Sequence, residues 1–378
     1  MIGVVFGTSA EAIKLAPLIH ELTRRGHPPL VMCTAQQAEQ IPEFLEDLGL
    51  RPPDLWLARG HRGADLERMR HLPAWGATAI GRFLRHRRRI ERRLRSDGHT
   101  PALIVQGDTM TTVLGALAGR ALGVQVGHLE AGLRSGDIFQ PWPEELNRRV
   151  ADRLAHVNFA PNAEAASRLR ASIPRVRVVD TGGNTIEDAL HLAERAAASS
   201  DQAAGDFGLV SLHRQELLGS RQRLAEALEI LHEHSRRERL LFVDHSITSE
   251  AIRAHGLEHL FDARFRRIPR LRYLPFIALL KRSRFLVTDS GGSHAECALL
   301  GHPCLVHRAV TEQADGIGGC VVLSRMDPAA LRDFLSDPDR HRTPPARSDR
   351  RPTDAVVEEL ERIGAVPVPA RAPAPSVR

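Results

Sequence analysis

Short apolar runs separated by longer amphipathic stretches recur along the whole chain. In the first half, residues 2–6 (IGVVF), 29–33 (PLVMC), 102–106 (ALIVQ), 124–126 (VQV), 156–160 (HVNFA) and 176–179 (VRVV) read as strands. The pattern restarts with 208–212 (GLVSL), 240–243 (LLFV), 285–289 (FLVTD) and 303–306 (PCLV). Helical signals lie between them. Thr8 and Glu11 form a T-x-x-E capping box, and Gly301 suits a helix C-cap. Val113, Leu114, Leu117 and Leu122 predict the apolar side of a helix after Asp108. Pro143 is predicted in the first turn of a helix, where its missing N–H costs nothing, with Glu144 and Glu145 next to it. Two sets of alternating strands and helices predict an α/β protein with two Rossmann-type, doubly wound parallel-sheet domains. The expected domains span 1–182 and 183–350, with a helix at 351–364 packing back on the first. The Pro/Ala-rich tail, 365–378, is expected to be disordered.

Composition narrows the classes. At 378 residues the chain can build two substantial cores. No apolar run approaches the roughly 18 residues of a membrane span, and MIGVVFG reads as a strand, not a signal peptide. Cys33, Cys297, Cys304 and Cys320 form no CxxC or His/Cys pattern, so neither a disulfide framework nor a metal site is expected. Cytoplasm is the expected compartment, with no membrane partner. The net charge is +6, but only Lys14 and Lys281 are lysines among 52 basic residues. Arginine usage of this kind reads as a coding bias. The block 82–95 (RFLRHRRRIERRLR) has Phe83, Leu84, Ile90 and Leu94 on one helical face, so its charges are expected to be solvated, with no nucleic-acid partner.

Candidate chemistry gathers at predicted strand ends, where ligands of open α/β sheets bind. The stretch 127–148 (GHLEAGLRSGDIFQPWPEELNR) collects His128, Glu130, Glu144, Glu145 and Arg148 within a few dozen residues. If the strand continued, His128 and Glu130 would point the same way. Arg148 falls on the helical face of Glu144. Ser290-Gly291-Gly292 follows a strand and opens a helix, which suits a phosphate cradle, though a tight structural turn explains it about as well. Glu296, in that helix, suits a ribose. Lys14 lies near the anion-attracting end of the first helix. Asp108 serves equally as an N-cap, and His213 alone is more often structural.

The segments GTSAEAIKLAP, VQGDTMTT, GHLEAGLRSGD…PWPEELNR, TGGNTIEDAL, LHRQE, LVTDSGG and RAVTEQADG, in this order over about residues 3–325, resemble the non-hydrolysing UDP-N-acetylglucosamine 2-epimerases. The resemblance implies a GT-B-like fold with two Rossmann-type domains facing a cleft, a UDP-sugar substrate and a homodimer. It also implies interconversion of UDP-GlcNAc and UDP-ManNAc with no metal or nicotinamide cofactor, by eliminating UDP to a glycal and adding it back. Matched motif to motif, Asp108, Glu130 and Glu144 are the implied acid/base carboxylates, with Asp108 and Glu130 working at C2. Lys14, Arg148 and His213 are implied to hold phosphate and polarise the leaving group. Ser290, Gly291, Gly292 and Glu296 are implied at the diphosphate and ribose, and Phe276 at the uracil.

The chain departs from that pattern at several points. Ser9-Ala10 replace Arg-Pro, Ala64 a glutamine, and Gln313 an arginine; Gln215-Glu216-Leu217 and SHAE (293–296) also differ. Each lost cation removes a charge-assisted bond to phosphate. The segment 34–38 (TAQQA) departs from the family's regulatory TxQHR, so regulation by UDP-GlcNAc is not expected. A hydrolysing variant that releases UDP and sugar, a GT-B glycosyltransferase and a non-catalytic nucleotide-sugar binder are the alternatives, since fold alone does not fix function.

Overall fold

The computed structural model describes residues 1–60, 63–66, 71–136, 142–197, 206–311, 314–346, 348 and 350–368. The chain runs β1 (Ile2–Phe6), α1 (Ser9–Arg24), β2 (Leu30–Cys33), α2 (Gln40–Asp47), β3 (Leu55–Trp56), α3 (Leu72–Leu94), β4 (Ala102–Gln106), α4 (Met110–Leu122), β5 (Gln125–Leu129), α5 (Glu144–Leu154), β6 (Val157–Ala160), α6 (Ala163–Ser172) and β7 (Arg177–Asp180). It continues through α7 (Ile186–Ala197), β8 (Phe207–Ser211), α8 (Gln215–Leu218), α9 (Arg221–Ser235), β9 (Arg239–Asp244), α10 (Ser246–Ala254), β10 (Phe265–Pro269) and α11 (Tyr273–Arg282). The last elements are β11 (Leu286–Thr288), α12 (Gly291–Leu300), β12 (Cys304–Val306), β13 (Val321–Leu323), α13 (Pro328–Ser336) and α14 (Pro352–Arg362).

Two units result. Met1–Leu133, Asp137–Thr185 and Arg350–Arg378 make the first, and Arg134–Gly136 with Ile186–Asp349 the second. The first holds a sheet of order β3-β2-β1-β4-β5-β6-β7 and the second one of order β10-β9-β8-β11-β12-β13. The paired strands are parallel throughout. The expected α/β class with two Rossmann-type parallel sheets is therefore what the chain adopts. Each strand order reverses once, between β1 and β4 and again between β8 and β11. The loops leaving those strands open the crevice in which such sheets bind ligands.

The cores follow from the apolar runs. In the first unit Val4, Phe6, Ile104 and Leu129 pack with Leu15 and Leu18 on one face of the sheet. Val5, Leu103, Val105 and Val126 face Phe83, Ile90 and Leu94 on the other. In the second unit Val210, Phe242, Phe285 and Val287 pack with Leu228, Leu231 and Phe334. α14 buries Val356, Val357 and Leu360 in the first unit's core and is tied there by Arg25–Glu361 and Arg177–Glu359 pairs. Among the described residues, no helix is long and apolar enough to cross a membrane.

Four local expectations need correction. Leu122 of α4 is buried as expected, but the rest of the sheet-facing side is made of Thr111, Gly115, Ala116 and Gly119, while Leu117 is 47% exposed. The helix lies so close to the sheet that a Cβ on Gly119 would stand 2.5 Å from Val126 Cγ2, leaving no room for a leucine. On α3, Phe83, Ile90 and Leu94 are buried as expected, but Leu84 is 60% exposed. Pro143 is the residue before α5, whose first turn begins at Glu144. Ala365 and Val366, assigned to the tail, are buried against the first unit's core because two apolar side chains there find a matching surface. The tail from 369 on lies outside the described residues.

Candidate active site

In the first unit, β1, β4 and β5 end side by side, and the loops after β4 and β5 bring Asp108 and Glu130 to Lys14 on α1. β5 stops at Leu129, and Glu130 takes a left-handed backbone with φ 65°, rare for a residue with a side chain. His128 and Glu130 consequently part company. His128 lies beneath the site, whereas Glu130 turns toward α1, where its Oε2 accepts from Lys14 Nζ at 2.5 Å and Gln106 Nε2 at 2.5 Å. Asn184 adds a third side-chain donor. Burial alone would raise the Glu130 pKa; Lys14, then Arg148 and Asn184, outweigh it and hold the carboxyl below its ordinary range.

Asp108 follows Gly107 at the end of β4, and its carboxyl pairs with Arg148. Asn147 Nδ2 donates to the Asp108 carbonyl at 3.0 Å. Arg148 is almost wholly buried and also reaches Glu145 at 3.3 Å. Burial raises the Asp108 pKa; Arg148 opposes this, but Glu130 and Glu144 reinforce it, and the carboxyl stays above its usual range. Glu144 stands at the start of α5 with Oε2 buried and without a hydrogen-bond partner among the described residues. Five charged groups, Lys14, Asp108, Glu130, Glu144 and Arg148, thus gather beyond the strand ends, and the two central acids are pushed in opposite directions.

The start of α1 is occupied by the chain itself. Glu11 Oε2 accepts from the N–H groups of Gly7 (2.8 Å) and Thr8 (2.9 Å), and Thr109 Oγ1 donates to Oε1 at 2.7 Å. Gln37 Oε1 accepts from Ser9 N at 2.7 Å and Ser9 Oγ at 2.8 Å. Ser9, where the resemblance leads one to expect arginine, is therefore bonded within the unit. Lys14, expected at an anion-attracting helix end, spends its charge on Glu130.

In the second unit, β8, β9 and β11 end in His213, His245 and Asp289. Asp289 accepts from His213 N (2.8 Å) and Arg214 N (2.7 Å), which fixes the loop that carries His213. The His213 and His245 rings lie 4.5 Å apart, and His245 Nε2 is 3.3 Å from Ser211 Oγ. Burial, reinforced by Arg214 and Arg270, pushes His213 down to about 4. Burial and the neighbouring His213 push His245 down to about 3. Both rings are neutral at pH 7. Ser290 caps α12, its Oγ accepting from Ser293 N at 3.4 Å, with Gly291 and Gly292 opening the helix. Glu296 is buried on α12, close enough to Tyr273 that its charge, after burial, raises the phenol above its ordinary range. Tyr273 shares a face of α11 with half-buried Phe276, three residues on.

A family model described as UDP-N-acetylglucosamine 2-epimerase matches residues 21–350. The chain belongs to the UDP-N-acetylglucosamine 2-epimerase family. It is similar to the UDP-N-acetylglucosamine 2-epimerase of Bacillus subtilis, 31% identical with 94% of this chain and 93% of that one covered. The Salmonella typhimurium protein of the same name is 32% identical, with 90% and 91% covered. Among solved structures, the UDP-GlcNAc 2-epimerase of Neisseria meningitidis bound to UDP-GlcNAc superposes with a TM-score of 0.78 at 26% identity, covering 96% of this chain and 99% of that one. The Methanocaldococcus jannaschii UDP-GlcNAc 2-epimerase in complex with UDP-GlcNAc and UDP gives a TM-score of 0.76 at 27% identity, covering 96% and 99%. The family read from the seven motifs is thus borne out.

Within this family member, each unit gathers its own share of the expected residues. Lys14, Asp108, Glu130, Glu144 and Arg148 cluster in the first; His213, Phe276, Ser290, Gly291, Gly292 and Glu296 belong to the second. Gln313 lies outside the described residues. Several partners were not singled out from sequence: Gln106, Asn147 and Asn184 around the acids, and Asp289, His245 and Tyr273 in the second unit. Asn184 sits inside the TGGNT motif and Tyr273 is the chain's single tyrosine, which are the only signals sequence offered.

Proposed function

We propose that this protein is an isomerase that inverts C2 of a UDP-N-acetylhexosamine, interconverting UDP-GlcNAc and UDP-ManNAc. The observation that carries the reading is the opposed pair Asp108 and Glu130, one acid held above and the other below its ordinary range. Environments that split two neighbouring carboxylic acids assign an acid and a base. Glu130, ionised beside Lys14, takes the proton from C2 as the C1–O bond breaks and its electron pair leaves with UDP. The glycal that forms accepts a proton at the opposite face of C2 from Asp108, and UDP returns to C1. Arg148 steadies the carboxylate that Asp108 becomes, and Glu144 assists. Exchange of both acids with water resets the site, so solvent hydrogen enters at C2.

The second unit is assigned the leaving group. Ser290, Gly291 and Gly292 offer backbone N–H groups to the diphosphate, Glu296 accepts from the ribose, and Phe276 flanks the uracil. His213, neutral at working pH, contributes hydrogen bonds, and Arg214 and Arg270, whose charges reach it, supply the positive field. We place the protein in the cytoplasm as a homodimer, and the dimer is supported by an apolar groove of about 240 Å³ between α3 and α4 that includes the exposed Ile80, Leu84 and Leu117.

Incubation with UDP-GlcNAc in D2O, followed by NMR, should give UDP-ManNAc with deuterium at C2. Net release of UDP and free sugar would favour the hydrolytic alternative, and UDP binding without turnover the binder. Asp108→Asn and Glu130→Gln should each lower C2 exchange by roughly 10²–10⁴-fold while UDP affinity holds. Normal exchange in both variants would overturn the assignment.

A further inference from the structure

His128 is fully buried on β5, two residues before Glu130, and the reaction described above does not use it. Its Nε2 lies 2.7 Å from the carbonyl oxygen of Gly107. A carbonyl can only accept, so Nε2 carries the hydrogen. Its Nδ1 lies 3.0 Å from Oδ1 of Asp152, on α5 and equally buried. The ring thus hydrogen-bonds the β4 loop from β5 and sets its Nδ1 edge against α5, where Nδ1 makes no aligned hydrogen bond among the described residues.

What the ring holds is specific. Gly107 directly precedes Asp108 and has φ 74°, so its peptide adopts an orientation few residues accept. His128 grips the Gly107 carbonyl, while Asn147 grips the carbonyl of Asp108 itself at 3.0 Å. Both peptide oxygens flanking the acid are bonded to β5 or α5. A buried imidazole must place its N–H on some acceptor, and here that acceptor is the carbonyl directly before the acid.

We infer that His128 and Asp152 are positioning residues that orient the Gly107–Asp108 peptide and so aim the Asp108 carboxyl at the reacting carbon. The inference rests on Asp108 being the acid of the reaction proposed above. Asp152 stands at ion-pair distance from the ring's Nδ1 edge, the ring holds the carbonyl, and the carbonyl sets the acid. A displacement of about 1 Å in a catalytic group costs on the order of 10²-fold in rate.

The test is His128→Gln, whose single amide cannot span both partners. The expected result is a kcat about 10–100-fold lower, KM for the UDP-sugar within about twofold, and UDP affinity unchanged. On an Asp108→Glu background, where the carboxyl is already displaced, the further loss should shrink below about threefold, the mark of two residues acting through one group. An unchanged kcat in the folded His128→Gln protein, or the full loss repeated on the Asp108→Glu background, would overturn the inference. If His128→Gln does not fold, Asp152→Asn, which keeps the size of the side chain but removes the charge beside Nδ1, should lower kcat at least about fivefold with KM held; an unchanged kcat there would overturn it equally. A wild-type protein that exchanges nothing at C2 would instead refute the epimerase reading, so the two failures are distinct.

Discussion

Replacing Lys14 by methionine removes the cation beside Glu130 while keeping an unbranched side chain only one atom shorter. The two charges are 2.5 Å apart, with side chains 13% and 8% exposed. At an effective dielectric of about 20 their attraction is about 7 kcal/mol, much of it offset by the cost of taking both ions out of water. Breaking such a pair from one side costs about 3–5 kcal/mol. Gln106 and Asn184 still donate to Glu130 in the variant, so the low end, about 3 kcal/mol, is expected. For a unit of this size that is about 6–12 °C in Tm. Trp56, Trp75 and Trp142, the only tryptophans, all belong to the first unit, so fluorescence during urea unfolding reports it alone. The pH dependence is the sharper check. In the wild type Glu130 is held below its ordinary range and is ionised at both pH 5 and pH 8. Without Lys14 the largest influence opposing burial is gone, so the Glu130 pKa should rise and proton uptake at pH 5 should relieve part of the strain. The loss should therefore be larger at pH 8 than at pH 5. A loss below about 1 kcal/mol, the range of an exposed pair, or an equal loss at both pH values, would refute the reasoning.

Other outcomes follow from the same contacts. His213 and His302 are pushed down to about 4 and His245 to about 3, each chiefly by burial. The unfolded chain binds protons below about pH 6.5 that the folded one refuses, so the second unit should be fully stable above pH 6.5 and weaken as pH falls toward 4; calorimetry giving the same stability at pH 5 and pH 7 would contradict this. Gly119→Ala should destabilise by about 1–3 kcal/mol despite alanine's better helix propensity, because its Cβ would meet Val126 Cγ2 at 2.5 Å; denaturant titration reads the sign. Gln313→Arg should tighten UDP binding about tenfold by restoring a charge-assisted bond, and calorimetric titration showing no change would make that departure incidental.

How legible the fold was depended on where each strand lies. The central strands of both sheets are buried on both faces and stand out as apolar runs, IGVVF, ALIVQ and GLVSL among them. The strands that escaped, β3, β10 and β13, are all sheet edges. β3 has two residues, and β10 (FRRIP) carries two arginines that an edge facing water tolerates. The site divides in a similar way. Asp108 and Glu130 were visible because their motifs are local. Their helpers were not: Gln106 and Lys14 meet Glu130 from 24 and 116 residues away, a proximity that only the sheet order creates. The shift from Leu117 to Gly119 as the buried side of α4 was hidden because leucine normally signals burial more loudly than glycine.

The carboxylate of Glu11 has a consequence for where phosphate can go. A helix beginning just past a β1 strand is the usual berth for a nucleotide's negative groups, yet in the first unit that berth already has a tenant, tethered three residues into the helix and braced by Thr109. An incoming phosphate would have to evict an acid covalently bound to the berth itself. The opening turn of the first unit is therefore closed to an outside anion by its own glutamate.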